Sequence, residues 1–294
     1  MSRPFEIAVF TPVAWPDLSV AAAACRAGAL GVINFECESD VERALAQVRR
    51  LRRYGDLSFG VQVPGCAGEF LDRLSAEAPA TVSAVILTGG GDADVLGRQV
   101  AALRRQRVRV LLSATCVEEA VVAETLGVDA VVAKGHEAGG WVGEETAFVL
   151  LQRLLGRRTL PVWVHGGVGL HTVAACYAAG AAGVILDSQM VLLRESTLPE
   201  HARAAVARMD GSETVCVGGE IGAPCRVYAR PRLPVLEELR RIESALEGDA
   251  RAGRDVRAAW RDAVRARVGW ESPDRHVWLL GQDAAFAALL ARRF

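Results

Sequence analysis

AKGHEAGGWVG (133–143), VHGGVG (164–169) and GVILDSQ (183–189) decide the fold. Each glycine or polar cluster follows a short apolar run, and the first two open into helix-like stretches. In a parallel α/β fold such clusters stand at the carboxyl ends of strands, where these folds place their chemistry.

Working outward, one pattern recurs: a helix ending in glycine, a tight turn, then a β-branched run. CRAGALGVINFE (25–36), ETLGVDAVVAKG (124–135) and AAGAAGVILDS (178–188) all show it. Glycine after a helix adopts the left-handed conformation cheaply and lets the strand begin at once. Eight such strands are expected near residues 7–11, 31–35, 58–63, 84–87, 109–113, 130–133, 162–164 and 183–186. Most are unbroken Val/Ile/Leu/Ala runs rather than alternating ones, as strands covered on both faces require. Residues 41–54 and 95–106 read as helices with an apolar side and a solvated, arginine-rich side.

Eight β/α units within residues 5–200 predict an α/β fold, a compact (β/α)8 TIM barrel. A doubly wound open sheet would want G-x-G-x-x-G after the first strand, and TPVAWPD (11–17) is not that. The barrel domain is placed at 1–205. Residues 206–294 form a mostly helical appendage: short β-like pieces in 215–231, charged helix over 236–268 with weak points at Gly248 and Gly253, and an amphipathic helix over 283–293. The ending Arg292-Arg293-Phe294, without a polar tail, suggests a boundary inside a longer chain.

The 294 residues suffice for one large barrel with an appendage, and 51% hydrophobic content argues against disorder. A net charge of -1 points to neither nucleic acid nor an anionic membrane. Seven scattered cysteines, an odd number with no C-x-x-C, fit reduced thiols in the cytoplasm. No metal is expected, because no Cys/His cluster has ligand spacing. No secretory signal is legible, and the most apolar stretch, 18–35, is broken by Arg26, Gly28 and Gly31.

Gly166-Gly167 after the seventh strand leaves backbone N–H groups free to turn towards an anion, and Ser188 after the eighth adds a hydroxyl. Loops after these two strands form the common phosphate site of such barrels. A plain βα turn is the alternative. Gly139-Gly140, after the sixth strand, could let a flat ring lie against backbone. Lys134 ends that strand and either stabilises negative charge or pairs with Glu137 at the barrel mouth. His165 and Asp187 stand at corresponding places on neighbouring strands, with His136 expected near both. The pair is either a general acid or a satisfied structural hydrogen bond. Gln62 ends the third strand and reads as a ring-edge partner or as barrel filling. Trp141 reads as a cover or as packing, and Gly89-Gly90-Gly91 as room for substrate or a mobile lid. His171, His201 and His276 show no partners in the sequence.

At these residues the chain resembles the nitronate monooxygenase (2-nitropropane dioxygenase) family, which includes FMN-dependent enoyl-ACP reductases. EAGG (137–140), PVWVHGGVG (161–169) and AAGAAGVILDSQMVLLRES (178–196) carry the resemblance, with TPVAWPD, RAGALGV (26–32) and FGVQV (59–63). It covers about residues 5–200. KGHEAGG and the ending LLGQDAAFAALLARRF are similar to versions built into polyketide or polyunsaturated fatty acid synthases. The resemblance implies FMN, with its phosphate on Gly166, Gly167 and Ser188, its ring against Gly139 and Gly140, and Gln62 and Lys134 close to that ring. Lys134, His136 and His165 are the candidate catalytic residues. NAD(P)H would be the reductant, and an acyl carrier protein-bound or other acyl thioester the substrate.

Two departures stand out. Trp141 holds the place of the family's catalytic histidine, which removes the base expected to act on a nitronate. Asp187 holds the place of a glycine, and its carboxylate repels phosphate unless it turns away or pairs with His165. The reading is therefore an FMN-dependent enoyl-thioester reductase within or beside a synthase. Alternatives are a degenerate barrel used for docking, nitronate oxidation, or another reaction using His165 and Asp187. Further synthase domains and a homodimer are the possible partners.

Overall fold

The computed structural model describes residues 4–65, 67–77, 81–89, 92–157 and 160–293, so Cys66, Gly90 and Gly91 lie outside the described residues. Its strands are β1 (Glu6–Phe10), β2 (Leu30–Asn34), β3 (Phe59–Pro64), β4 (Val82–Thr88), β5 (Arg109–Ala114), β6 (Ala130–Lys134), β7 (Gly140–Trp141), β8 (Val162–His165), β9 (Gly183–Leu186), β10 (Thr214–Val217) and β11 (Cys225–Tyr228). β1 to β6, β8 and β9 close into one parallel barrel in chain order, β9 returning to β1. All eight barrel strands expected from the sequence are present, with ends shifted by a residue or two.

The helices are α1 (Ser19–Arg26), α2 (Val41–Arg50), α3 (Gly68–Glu77), α4 (Ala93–Arg105), α5 (Val117–Leu126), α6 (Ala147–Arg157), α7 (Thr172–Ala179), α8 (Glu200–Val206), α9 (Pro234–Arg251), α10 (Arg257–Arg265) and α11 (Ala287–Arg293). Local chemistry sets their ends. Asp40 and Asp92 cap α2 and α4 by accepting from the amides of Arg43 and Val95 at 3.0 and 2.9 Å. The glycine signal also holds: α5 and α7 stop at Gly127 and Gly180, both left-handed.

Two apolar layers hold the barrel. Phe10, Val32, Ile86, Leu111, Val132, Trp163 and Ile185 fill its interior. A larger layer, including Leu45, Leu71, Val100 and Leu151, lies between strands and helices. Some packing tolerates no side chain: a Cβ on Gly31 would lie 2.1 Å from the Ala21 carbonyl oxygen of α1. At the amino-terminal end of the barrel, Arg109 pairs with Glu6 at 2.6 Å and its guanidinium carbon lies 5.4 Å from the centre of the Trp163 ring.

The chain after residue 206 folds over the carboxyl-terminal mouth. β10, β11 and β7 form a small antiparallel sheet, with Cys225 opposite Trp141 and Arg226 opposite Gly140, so a loop of the barrel supplies its edge. α9, which starts on Pro234, and α10 pack with this sheet around Leu239, Trp260 and Val264. A second cluster joins Trp270, Trp278 and Leu280 to Val191, Leu198 and Ala202 of the barrel side. The Trp270 indole donates to the Val13 carbonyl at 2.8 Å. The helix expected over 283–293 is instead a 3-10 turn, Gln282–Phe286, followed by α11. Among the described residues no helix is long and apolar enough to cross a membrane.

Candidate active site at the barrel mouth

Strand register brings the polar ends together. Lys134 stands beside His165, and Asn34 beside Gln62. All four are buried. Lys134 Nζ lies 3.7 Å from Glu36 Oε1, both side chains only 3% exposed. The Gln62 amide donates to Glu36 Oε2 at 3.3 Å and to Asn34 Oδ1 at 3.2 Å. A Cβ on Gly140 would come within 3.2 Å of Glu36 Oε2, so that glycine keeps the backbone close above this polar floor. The lysine's partner is thus Glu36, not Glu137. Glu137 instead caps α6, accepting from the Ala147 amide at 2.9 Å.

His165 and Asp187 do pair, Nε2 to Oδ2 at 2.8 Å. Burial opposes the Asp187 charge, but the His165 charge and hydrogen bond, the Ser188 amide and Lys134 outweigh it and hold the carboxyl below its ordinary value. His136 is not part of that pair. Its Nδ1 lies 2.8 Å from the Gly143 carbonyl and its Nε2 3.8 Å from Cys216 Sγ of β10. The loop from 136 to 140 is clamped by Arg226, buried, whose Nε donates to the His136 carbonyl at 2.7 Å.

Gly166 and Gly167 turn with φ of 105 and 64°, conformations that suit a backbone cradle. The appended chain closes over the Ser188 side of this cradle. The Gly281 amide donates to Ser188 Oγ at 2.9 Å, and the Gln282 amide to the Glu137 carbonyl at 2.8 Å. Hypothetical Cβ atoms on Gly139 and Gly281 would each meet the other's amide within 3 Å, at 2.9 and 2.8 Å, so only glycines allow this approach. Asp283 follows, 1% exposed, with no close hydrogen bond to either carboxylate oxygen among the described residues. Burial and the charges of Asp187 and Glu137 push its carboxyl well above the ordinary range, despite weaker help from its own amide and Ser188.

Beside Lys134 a solvent-open cleft runs under α10. Its walls include Glu36, Ser113, Trp141, Arg257, Arg261 and Arg265. Arg261 lies with its guanidinium carbon 5.7 Å from the Trp141 ring centre, and its buried Nε has no hydrogen-bond partner.

Of the residues singled out from the sequence, Gln62, Lys134 and Gly140 share the polar floor, and Gly139, Gly166, Gly167 and Ser188 surround the cradle. His165 stands next to Lys134, and His136 faces the appended sheet. Sequence reasoning missed Glu36, Asn34, Arg226, Asp283 and the α10 arginines. Asn34 and Glu36 follow an apolar run as Lys134 does, which was a usable signal. Asp283 and the arginines are placed by tertiary folding alone.

This is a closed parallel barrel with buried ionisable groups at its carboxyl-terminal mouth, the arrangement of a TIM-barrel enzyme. The family profile described as nitronate monooxygenase matches residues 57–263, and the chain belongs to that family. A nitronate monooxygenase of Pseudomonas aeruginosa strain PAO1 is 28% identical, covering 82% of this chain and 85% of that protein. A (3aS,4S,5R,7aS)-5-hydroxy-7a-methyl-1-oxo-octahydro-1H-indene-4-carboxyl-CoA dehydrogenase of Rhodococcus jostii RHA1 is 24% identical over 90% of this chain and 74% of its own. Among solved structures, FabK from Thermotoga maritima superposes with a TM-score of 0.78 at 25% identity, covering 97% of this chain and 88% of that one. The enoyl reductase domain of MlnA from the macrolactin cluster of Bacillus amyloliquefaciens shares the fold, with a TM-score of 0.70 at 10% identity, covering 98% and 88%.

The family is one of oxidoreductases and is generally FMN-dependent. The residues present suit the two ends of that cofactor unequally. Gln62, Lys134 and the bare backbone at Gly140 offer polar edges and close approach to a flat ring. The cradle after β8 and β9 offers the right turns, but Asp283 puts a third acid there beside Asp187 and Glu137. A phosphate dianion does not fit against an ionised Asp283.

Proposed function

We propose that this oxidoreductase acts on the acyl chain of an enoyl thioester, carried by a phosphorylated pantetheine arm of a carrier protein or of coenzyme A. One observation carries the reading: the cleft that opens beside Lys134 is lined by three arginines of α10, Arg257, Arg261 and Arg265. Guanidinium groups along a cleft bind phosphate through charge-assisted hydrogen bonds, as the phosphate of a pantetheine arm requires. The Rhodococcus relative, named as a carboxyl-CoA dehydrogenase, supports thioester chemistry in the same family. The MlnA domain, an enoyl reductase domain from a macrolactin biosynthesis cluster, has the same fold.

In this reading Gln62, Lys134 and the backbone at Gly140 would hold a flavin ring, which would supply the redox chemistry with NAD(P)H as reductant. The chain's own groups bind and hold charge. Lys134 Nζ stands at the mouth to steady negative charge on the thioester oxygen, and Glu36, 3.7 Å away, orients it. His165, held by Asp187, is the proton donor nearest Lys134 in the strand register. Nitronate oxidation is disfavoured, because Trp141 is a β-strand residue under Arg261 and offers no proton acceptor. The acid-lined cradle favours a second reading, a barrel kept for docking inside a larger synthase.

Steady-state NADPH oxidation by the FMN-supplemented protein tests the proposal. Consumption dependent on a short enoyl-CoA, and absent with a nitroalkane, is the expected result. Consumption with the nitroalkane alone overturns the substrate assignment, and none with either supports the docking reading.

A further inference from the structure

We propose that Asp283 is a specificity-determining residue that discriminates against the phosphate of FMN, because its carboxylate stands where that phosphate would sit. The inference rests on the flavin reading above and concerns the same site.

The placement comes from four segments that meet at one point. The Gly281 amide is bonded to Ser188 Oγ, and the Gln282 amide to the Glu137 carbonyl. The Gly281 Cα is so near the aspartate that a Cβ there would lie 2.5 Å from Asp283 Oδ1 and 2.8 Å from the Gly139 amide. Phe286 closes the far side, its ring 3.2 Å from where a Cβ on Gly169 would lie. The Ser188 amide, a natural phosphate donor, is already given to Asp187 Oδ1. The 3-10 turn before α11 thus brings a carboxyl group of its own beside Ser188.

Among the described residues, the charges that act most strongly on Asp283 are those of Asp187 and Glu137, and both oppose its ionisation. Asp187, on the loop after β9, is matched by His165 of β8. Glu137, on the loop after β6, is bound by the α6 amide of Ala147. Lys134 of β6 is paired with Glu36 after β2. The carboxylate therefore resists ionisation, and its protonated form is a donor that a phosphate oxygen can accept. Phosphate entry is then coupled to a proton held on Asp283, and discrimination grows as that proton is lost. Riboflavin, which has the same ring and no phosphate, escapes the penalty.

Equilibrium titration of the apo protein with FMN and with riboflavin, followed by flavin fluorescence from about pH 6 to about pH 8.5, tests this. Wild type is compared with Asp283→Asn, nearly the same shape, and with Asp283→Ser, which also empties the seat. Near pH 8 both variants should bind FMN at least about tenfold more tightly than wild type, since facing like charges are costly. Riboflavin affinity should stay within about twofold, because it brings no second charge. The wild-type preference for riboflavin should grow with pH relative to the Asn variant. The phosphate's own second ionisation, near pH ~6, is common to all three proteins and cancels. Equal FMN affinity in wild type and both variants near pH 8 would overturn the inference while leaving the flavin reading intact. Binding of neither flavin by any of the three would overturn both. Thermal melting of each apo protein shows whether a variant has lost its fold, and the second substitution stands if the first has.

Discussion

The amide of Gly281 donates to the hydroxyl of Ser188 across 93 residues of sequence, at 2.9 Å and out of contact with solvent. This bond fastens the final turn of the chain to the loop after the last barrel strand. It carries Asp283 into the mouth, and its consequences can be measured.

Asp283→Asn should stabilise the apo protein increasingly as pH rises above the unfolded carboxyl value near ~4, because an amide stays neutral without taking up a proton. The sign follows from linkage. A carboxyl raised in the folded state contributes full stability below its unfolded value near ~4 and loses it as pH rises through the folded value. Wild type should therefore fall behind the Asn variant with increasing pH in urea unfolding. Parallel curves across that range would contradict the burial of an unpaired acid.

Asp187 acts in the opposite direction. Its carboxyl is held low by His165, so its contribution is present above pH ~4 and disappears as pH falls through the lower folded value. Asp187→Asn should cost about 3 kcal/mol at neutral pH by leaving His165 without its partner. The same urea series, extended to acid, should show the wild-type advantage shrinking.

Lys134 and Glu36 form a buried pair that should fail as a unit. Lys134→Met or Glu36→Gln alone should destabilise by about 3–5 kcal/mol, since each strands a charge. The double variant should recover a large part of that loss. Additive losses in the double-mutant cycle would show that the two groups do not interact.

Arg261→Met should raise KM for an enoyl-CoA by about tenfold, the worth of one charge-assisted hydrogen bond. The same variant should leave kcat nearly unchanged, because Arg261 lines the cleft rather than the polar floor. An unchanged KM would remove Arg261 from substrate binding.

The barrel was legible because its signals are local. Apolar runs ending in Lys134, His165 and Asp187, and helix-ending glycines at 127 and 180, recur along the chain and need no knowledge of distant segments. The His165–Asp187 pair was equally accessible, since corresponding positions on neighbouring parallel strands must meet. What escaped depends on the appended chain. GQDAAF (281–286) reads as the start of a surface helix, and nothing within it reveals that Asp283 will be buried under Gly139 and Ser188. Lys134 was matched with Glu137 because they are close in sequence, whereas Glu36 reaches it across the barrel mouth. His136 is expected near His165 because it follows β6, which lies beside β8. The sheet that turns it away forms only when β11 pairs with β7.

Anaerobic reoxidation of the reduced, FMN-loaded protein tests the central claim most directly, because it isolates transfer to the acceptor from the choice of nicotinamide. With the flavin photoreduced and oxygen removed, addition of an enoyl-CoA should restore the oxidised absorbance and yield one saturated thioester per flavin. Flavin that stays bleached with the enoyl thioester, or is reoxidised by a nitroalkane instead, would contradict the account.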